Sequence, residues 1–509
     1  MLAIGRSLSL LDVARVARGG ASVTLDESAR AELQRARDHL EAALRAGATI
    51  YGVNTGFGAL SETPIAAADL AALQVNLLRS HAVGVGAPLE PAVVRALLLL
   101  RAHTLALGAS GVSPALVDHL LALLHAGIVP LVPSQGSVGA SGDLAPLAHL
   151  ALAVIGEGEV WLGTGRIPAA AALASAGLQP HALGPKEGLS LINGTQVMTA
   201  IGALATCDAA ELCASADVIG ALSVDALLGS SRPCDPRIHA GKPHPGQIAS
   251  ARTIRELLAD SPLNASHAAC GLVQDAYALR CMPQVHGAVR GALAYVAQAL
   301  QIEVDSFTDN PLVLPRDDGG FDVISGGNFH GASVAVPIDH LGAALTTLAT
   351  ISERRADRLL NPETSRGLPA FLAERPGLES GFMMVQVTAA ALASECKALS
   401  MPASVDTIPT SAGKEDHVSM GPIAARKAAA IVQNLARVLA VEAAIAARAL
   451  DLRDHPTSPR LEPVRAAIRR HVAPFTGDRS IAAELEDLAA AILRGELREA
   501  AGLPHLLAP

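Results

Sequence analysis

Residues 424–450 read AARKAAAIVQNLARVLAVEAAIAARAL, a stretch with no glycine and no proline. Ala and Leu, both strong helix formers, dominate it. Ile431, Leu435, Val438 and Ile445 recur at the spacing of one helical face. The pattern predicts one long helix with an apolar stripe. Glu442 interrupts that stripe. It is either a paired charge inside a helix–helix interface or a side chain reaching back to solvent, and the sequence leaves both readings open.

The same reading extends outward. Residues from about Ile338 to Leu360 contain few breakers and end in Glu353-Arg354-Arg355, a second long helix. Gly188 to Cys207 carries no charge, but Asn193, Thr195, Gln196 and Thr199 lie within it and Asp208 and Glu211 follow. That is the profile of a buried helix with polar residues at its start rather than of a bilayer span. Helical patterns also cover about Ala66 to Leu124. Near the N-terminus, Asp26 reads as an N-cap for a helix carrying Leu33, Leu40 and Leu44 and stopping at Gly47. Ala48 to Asn54 reads as a short strand entering the turn Thr55-Gly56-Phe57-Gly58. Two hairpins are predicted, Glu159–Leu162 with Arg166-Ile167, and Leu312–Leu314 with Phe321–Ile324 around Asp317-Asp318-Gly319-Gly320. The expected fold class is mainly α: a long-helix bundle with a smaller mixed N-terminal region and a few short strands or hairpins. The expected division is residues 1–200, a central bundle over 201–450, and a helical region over 451–509.

Composition narrows the function. The chain has 509 residues, long enough for a large core. Its formal net charge is −9 with no strongly basic block, which argues against nucleic acid as a partner. The six cysteines form no CxxC pair and no metal-ligand spacing, so buried, reduced thiols and no metal are expected. The apolar run Leu8 to Leu11 ends at Asp12, too short for a signal-peptide core. The protein is expected in the cytoplasm, with no membrane association. Aromatic residues are only 2% of the chain, so each of the three tyrosines is a notable placement, and Tyr51 and Tyr277 fall inside candidate motifs.

The run Gly136-Ser137-Val138-Gly139-Ala140-Ser141-Gly142-Asp143-Leu144-Ala145-Pro146-Leu147-Ala148-His149 carries distinctive chemistry. In a tight bend, the Gly142 nitrogen can attack the Ala140 carbonyl, because Gly142 has no Cβ to block the approach and Gly139 opens backbone conformations closed to other residues. Loss of water from the ring and from the Ser141 side chain leaves a methylidene on an imidazolone, a strong electrophile. By itself, Ala-Ser-Gly is usually a loop or a packing site. The whole run, however, resembles the signature of the aromatic amino acid ammonia-lyases and the related aminomutases.

Further motifs stand in that family's order between about residues 51 and 421. Tyr51-Gly52-Val53-Asn54-Thr55-Gly56-Phe57-Gly58, Asn193 in Gly188–Gln196, the segment from Gln274 to Gln284, Thr308-Asp309-Asn310-Pro311 and Gly326–Gly331 all fit. Removing ammonia from an α-amino acid needs an electrophile for the amine, a base for a weakly acidic β-proton and a clamp for the carboxylate. The resemblance implies that Ala140, Ser141 and Gly142 form a 4-methylidene-imidazol-5-one autocatalytically, with no external cofactor. It implies that Tyr51 is the base, that Tyr277 lies against the electrophile, and that Asn193 lies beside the substrate amine. Arg280, a natural bidentate carboxylate clamp, would hold the carboxylate, with Gln274 near the substrate and Phe329 shielding the electrophile from water. A tyrosine titrates near ~10 when unperturbed, so a basic role requires an electropositive site. On a helix, Tyr277 and Arg280 share a face. Thr308–Pro311 reads as a turn, and Lys242–Gln247 as structural. Family members are typically homotetramers with sites shared between subunits.

Two places bear on the substrate. Ser80-His81 matches the pair that histidine-processing members tend to carry, where phenylalanine enzymes have Phe-Leu and tyrosine enzymes His-Leu. Glu415-Asp416-His417-Val418-Ser419-Met420 is likewise shared with the histidine enzymes. Glu415 can accept from an imidazole N–H and His81 can serve the other ring nitrogen, whereas a phenyl ring would leave both unpaired. The reading is deamination of L-histidine to trans-urocanate and ammonia, the first step of histidine degradation. The alternatives are a tyrosine or phenylalanine ammonia-lyase, an aminomutase, or an inactive oligomeric homologue. Two departures stand out: Gly413-Lys414 precedes Glu415 where Asn-Gln is frequent, so that Lys414 could pair with Glu415 and lower its basicity, and Ser190 stands where Ala is common.

Overall fold

The computed structural model describes residues 1–268, 270–271 and 273–508. Twenty α-helices and nine short strands make up its regular structure among the described residues, so the chain is mainly α. The 424–450 stretch lies within the helix Gly421–Asp451. Ile431, Leu435, Val438 and Ile445 are all fully buried, as their spacing predicts.

Glu442 is settled in favour of the paired charge. It is fully buried and takes a bidentate ion pair from Arg355, with Nε at 2.6 Å and Nη2 at 2.9 Å. Ser223 Oγ donates to it at 2.6 Å and Ser352 Oγ at 2.5 Å. Each carboxylate oxygen therefore has two donors. Removing one partner of such a pair leaves an uncompensated buried charge. Glu442→Ala is expected to destabilise the protein by about 3–5 kcal/mol, read from chemical or thermal unfolding. A loss below about 1 kcal/mol would show that Arg355 escapes to water.

Contacts group the chain into two compact units that do not follow sequence order. One comprises residues 1–204, 297–338 and 402–426, the other residues 205–296, 339–401 and 427–509. These are not the stretches 1–200, 201–450 and 451–509, because the long helices Gln196–Ala226, Met282–Val304, Ala332–Leu360 and Gly421–Asp451 each contribute residues to both units.

In the first unit, Asp26 caps the helix Glu27–Arg45, accepting from Ser28 N at 2.9 Å and Ala29 N at 3.2 Å. Against it pack the helices Pro91–Ala106 and Pro114–His125, while Leu144–Val154 packs on Leu70–His81 and Glu187–Ile192. Their apolar residues fill the core, with Leu97, Leu99, Leu120, Leu147 and Leu150 fully buried. Both predicted hairpins are present, as Glu159–Leu162 with Gly165–Pro168 and Leu312–Pro315 with Phe321–Ile324. The first gains Ile128–Pro130 as a third strand. The expected strand at 48–54 is not formed. Asn54 closes this segment on itself, its Nδ2 donating to Ala48 O at 2.8 Å and its Oδ1 accepting from Ile50 N at 2.8 Å. Those local bonds use the backbone groups that a ladder would need.

The helix Ala332–Leu360 begins six residues before the expected start at Ile338 and holds Pro337 inside it. In the second unit, the helices Glu462–His471, Ala482–Leu493 and Glu496–Ala500 pack on one another. Three helices, Gln196–Ala226, Ala332–Leu360 and Gly421–Asp451, are long and apolar enough to cross a membrane. Of their most apolar stretches, 94%, 61% and 78% is buried inside the protein, which accounts for that character as core packing. None of the six cysteines forms a disulfide. Four are buried as expected, but Cys270 is exposed and Cys281 is half-buried.

Candidate active site

The site begins with a helix that breaks. Helix Glu187–Ile192 ends at Asn193, and a new helix starts at Gln196. Gly194 between them has φ +153°. The break turns Asn193 and the Gly194 carbonyl toward the Ala140-Ser141-Gly142 segment. Gly194 O accepts from Asp143 N at 2.8 Å, and Gly194 N donates to Ser141 O at 3.3 Å.

The tripeptide is held in a bend that few residues tolerate. Ser141 has φ +48° and Gly142 φ +78°. A Cβ on Gly142 would stand 2.1 Å from the Gly194 carbonyl oxygen, so only glycine fits. Gly139 has φ +77°, and a Cβ there would stand 2.1 Å from Ser419 Oγ. Met420 N donates to Val138 O at 2.9 Å, pinning the loop from its other side. A left-handed serine costs of order 1–3 kcal/mol and persists only where its surroundings impose it. The bend and the lack of any Cβ at Gly142 fit a backbone that closes on itself between Ala140 and Gly142.

Asp143 follows at once and is fully buried. Its Oδ2 accepts from Val197 N at 2.8 Å and Met198 N at 2.9 Å, at the start of helix Gln196–Ala226. Its Oδ1 has no partner. Burial pushes the carboxyl up to about 7, against the pull of those two N–H donors.

A cavity of about 750 Å³ opens beside Ser141. Six of the sequence-predicted residues line it: Tyr51, His81, Ser141, Asn193, Phe329 and Glu415. Tyr51 sits in the turn before Gly58, whose N–H donates to the Tyr51 hydroxyl oxygen at 3.1 Å. That leaves the phenolic proton free for the cavity. Glu415 accepts from Ser141 Oγ at 3.2 Å and from Thr410 Oγ1 at 2.6 Å. Lys414 is exposed, and these two hydroxyls, not the Lys414 ammonium, are the side-chain groups bonded to the carboxylate. His81 ends helix Leu70–His81, its Nδ1 lying 2.9 Å from Leu77 O. Ser80 Oγ also lies 3.0 Å from Nδ1, and Nε2 is the ring nitrogen left for the cavity. Leu60, Leu73, Leu77, Leu144 and Leu189 supply the apolar wall.

Gln274, Tyr277 and Arg280 belong to the second unit. Gln274 and Arg280 line a separate cavity of about 530 Å³ there. The short helix Tyr277–Arg280 puts both ends on one face, with the guanidinium 4.7 Å from the Tyr277 ring centroid. Tyr277 is 71% exposed, and Arg280 Nε has no hydrogen-bond partner. Asp275 anchors this segment by accepting from Ser230 N at 2.7 Å and Arg366 Nη2 at 2.6 Å.

Sequence reasoning passed over the groups beneath Asn193. Asp309 was read as part of a turn, yet it is buried and forms an ion pair with Lys186, whose Nζ stands at 2.6 Å. Arg101 is fully buried and donates to Asn193 O at 3.1 Å and Gln196 Oε1 at 2.5 Å. An arginine in the middle of the largely apolar run Leu97–Ala106, and a lysine next to a proline, are the available signals.

Known proteins share this architecture. The aromatic amino acid lyase family model matches residues 8–470. Histidine ammonia-lyase of Sorangium cellulosum is 53% identical over 510 residues, covering 98% of this chain and 99% of that enzyme. The crystal structure of histidine ammonia-lyase from Trypanosoma cruzi superposes with a TM-score of 0.91 at 40% identity, covering 99% of this chain and 96% of the other. Tyrosine aminomutase from Streptomyces globisporus gives a TM-score of 0.93 at 36% identity, with 98% of each chain covered.

Proposed function

The chain belongs to the aromatic amino acid lyase family, and from that premise we propose that it deaminates L-histidine to trans-urocanate and ammonia. It is an ammonia-lyase. The observation that carries the choice of histidine is the meeting of His81 and Glu415 with Ser141 in one cavity. The Glu415 carboxylate suits the N–H of an imidazole, and His81, able to donate or accept, suits its other ring nitrogen. Relatives 51–53% identical over nearly the full length bear the same activity in their names.

The left-handed bend supports cyclisation of the Ala140-Ser141-Gly142 backbone, the Gly142 nitrogen bonding to the Ala140 carbonyl carbon with loss of two waters. The resulting 4-methylidene-imidazol-5-one supplies an electrophile for the substrate amine, and no external cofactor or metal is invoked. Tyr51 acts as the phenolate, whose oxygen takes the β-proton and so becomes the neutral phenol, with the Gly58 N–H as a donor to that oxygen. His81 and Glu415 hold the imidazole ring. Asn193 lies by the amine, and Phe329 keeps water away. Leu60, Leu73, Leu77 and Leu189 exclude solvent around the ring.

Arg280 clamps the carboxylate, with Gln274 beside the substrate and Tyr277 against the electrophile. The exposure of Tyr277 and the unpartnered Arg280 Nε support delivery of these groups by a neighbouring subunit, in a homotetramer whose sites are shared. The net charge of −9 is in keeping with a small-molecule substrate and no nucleic-acid partner, and the six unbridged cysteines with a cytoplasmic enzyme.

The test is kcat/KM for histidine, tyrosine and phenylalanine on the parent and on His81→Leu and Glu415→Gln. A site that depends on such hydrogen bonds rejects the apolar analogue by roughly 10⁴-fold. Each variant should lose histidine turnover strongly, and the two losses should be non-additive because each leaves the other group half-paired. Parent activity on tyrosine or phenylalanine equal to that on histidine would overturn the substrate while leaving the family intact. Ammonia release without a β-amino acid product separates the lyase from an aminomutase.

A further inference from the structure

Asn193 is the only predicted site residue whose side chain is tied into a buried ion pair. Its amide has one oxygen and two N–H bonds. Both N–H bonds are spent inward, Nδ2 lying 3.2 Å from Asp309 Oδ1 and 3.1 Å from Asn310 O. A carboxylate and a backbone carbonyl only accept, so the NH₂ group must face them, and a flipped amide would set oxygen against oxygen. The amide oxygen is then the one atom of this side chain with capacity left for the cavity that Asn193 lines. An amine about to depart as ammonia carries N–H donors. An acceptor is its complement.

Asp309 in turn is saturated. Its Oδ1 also takes Asn310 N at 2.7 Å, and its Oδ2 takes Lys186 Nζ at 2.6 Å and Ser190 Oγ at 2.8 Å. Lys186 Nζ further donates to Ser190 Oγ at 2.9 Å. Lys186, Ser190 and the Asp309 side chain are fully buried. Lys186 also has φ +70°, a conformation that a lysine rarely adopts and that is held only where the surroundings impose it. Burial alone would raise the Asp309 carboxyl. The charges of Lys186 and Arg101, with the bonds from Lys186 and Ser190, outweigh it and keep the group below its ordinary range. A carboxylate held charged and fixed in this way can accept from Asn193 without rotating.

We infer that Lys186, Ser190 and Asp309 are positioning residues that lock the Asn193 amide as an acceptor for the substrate amine. Ser190 completes the network, its hydroxyl bonding both Lys186 Nζ and Asp309 Oδ2. The inference rests on the amino acid substrate proposed above. It predicts a loss confined to ligands that bear an amine.

The experiment compares kcat and KM for L-histidine with the inhibition constant of trans-urocanate, which has the ring and the carboxylate but no amine. In Asp309→Asn, kcat/KM should fall by about tenfold or more, the scale of one hydrogen bond to a charged group, while trans-urocanate binding stays within about twofold of the parent. Parallel loss of both would reduce the network to a scaffold and overturn the inference. If the buried Lys186 prevents Asp309→Asn from folding, Ser190→Ala, which changes no charge, carries the test. A fall of about threefold in kcat/KM with trans-urocanate unmoved supports the network, and no change in either, or equal change in both, overturns it. A parent enzyme inactive on histidine would instead strike the substrate assignment, before any variant is measured.

Discussion

Ser141→Ala is expected to fold as the parent does and to lose turnover of L-histidine by roughly 10³-fold or more, about 4 kcal/mol of barrier. The residue supplies the carbon that becomes the methylidene, and alanine has no hydroxyl to lose as water. The Ser141 Oγ bond to Glu415 at 3.2 Å belongs to the uncyclised chain, and the cyclised parent has already shed that hydroxyl, so the substitution removes no hydrogen bond from the mature fold. The left-handed φ of +48° strains alanine as it strains serine, so little else changes. Two measurements check this. Intact mass should find the parent lighter than its sequence by two waters and the variant not so. Steady-state kinetics should find the rate lost with the melting temperature nearly kept. A variant that turned over histidine near the parental rate would remove the electrophile from the account.

Tyr51→Phe should lower kcat by about 10²–10⁴-fold, the usual worth of a positioned general base. It removes one oxygen and the bond from Gly58 N at 3.1 Å. Gly58 N–H then loses a neutral partner at a cost of about 1 kcal/mol. The expected signature is a large kcat defect with a small change in stability. The reverse pattern, unchanged kcat with a clearly lower melting temperature, would return Tyr51 to a structural role.

These two residues are legible in the sequence only as parts of longer motifs: Ala-Ser-Gly by itself is usually a loop, and the resemblance of the whole Gly136–His149 run, with Tyr51 in its own glycine-rich motif, marks them. The long helices are legible on different grounds. Their period of 3.6 residues is written locally, and Ile431, Leu435, Val438 and Ile445 need no knowledge of their neighbours to be placed on one face. The strand expected at 48–54 shows the limit of local pattern. Its residues suit a strand, but the Asn54 side chain offers the backbone closer partners.

What the sequence determined by itself is therefore the class of fold, its long helices and its two hairpins, and the candidate groups of the site. The tertiary structure decided how the groups are paired. Glu442 was ambiguous until Arg355, 87 positions away, was seen to neutralise it. Lys414 was one available partner for Glu415, and the carboxylate meets Ser141 across 274 positions. Asp309 read as a turn residue until Lys186, 123 positions earlier, arrived beside it. Tyr277, expected against the electrophile, and Gln274 and Arg280, expected at the substrate, belong to the unit of residues 205–296, 339–401 and 427–509. Periodicity and turn chemistry depend on residues a few positions apart, so they survive in the linear chain. The fate of a polar or charged side chain depends on whether a complementary group removes its desolvation cost, and that group comes from wherever the fold brings the backbone together.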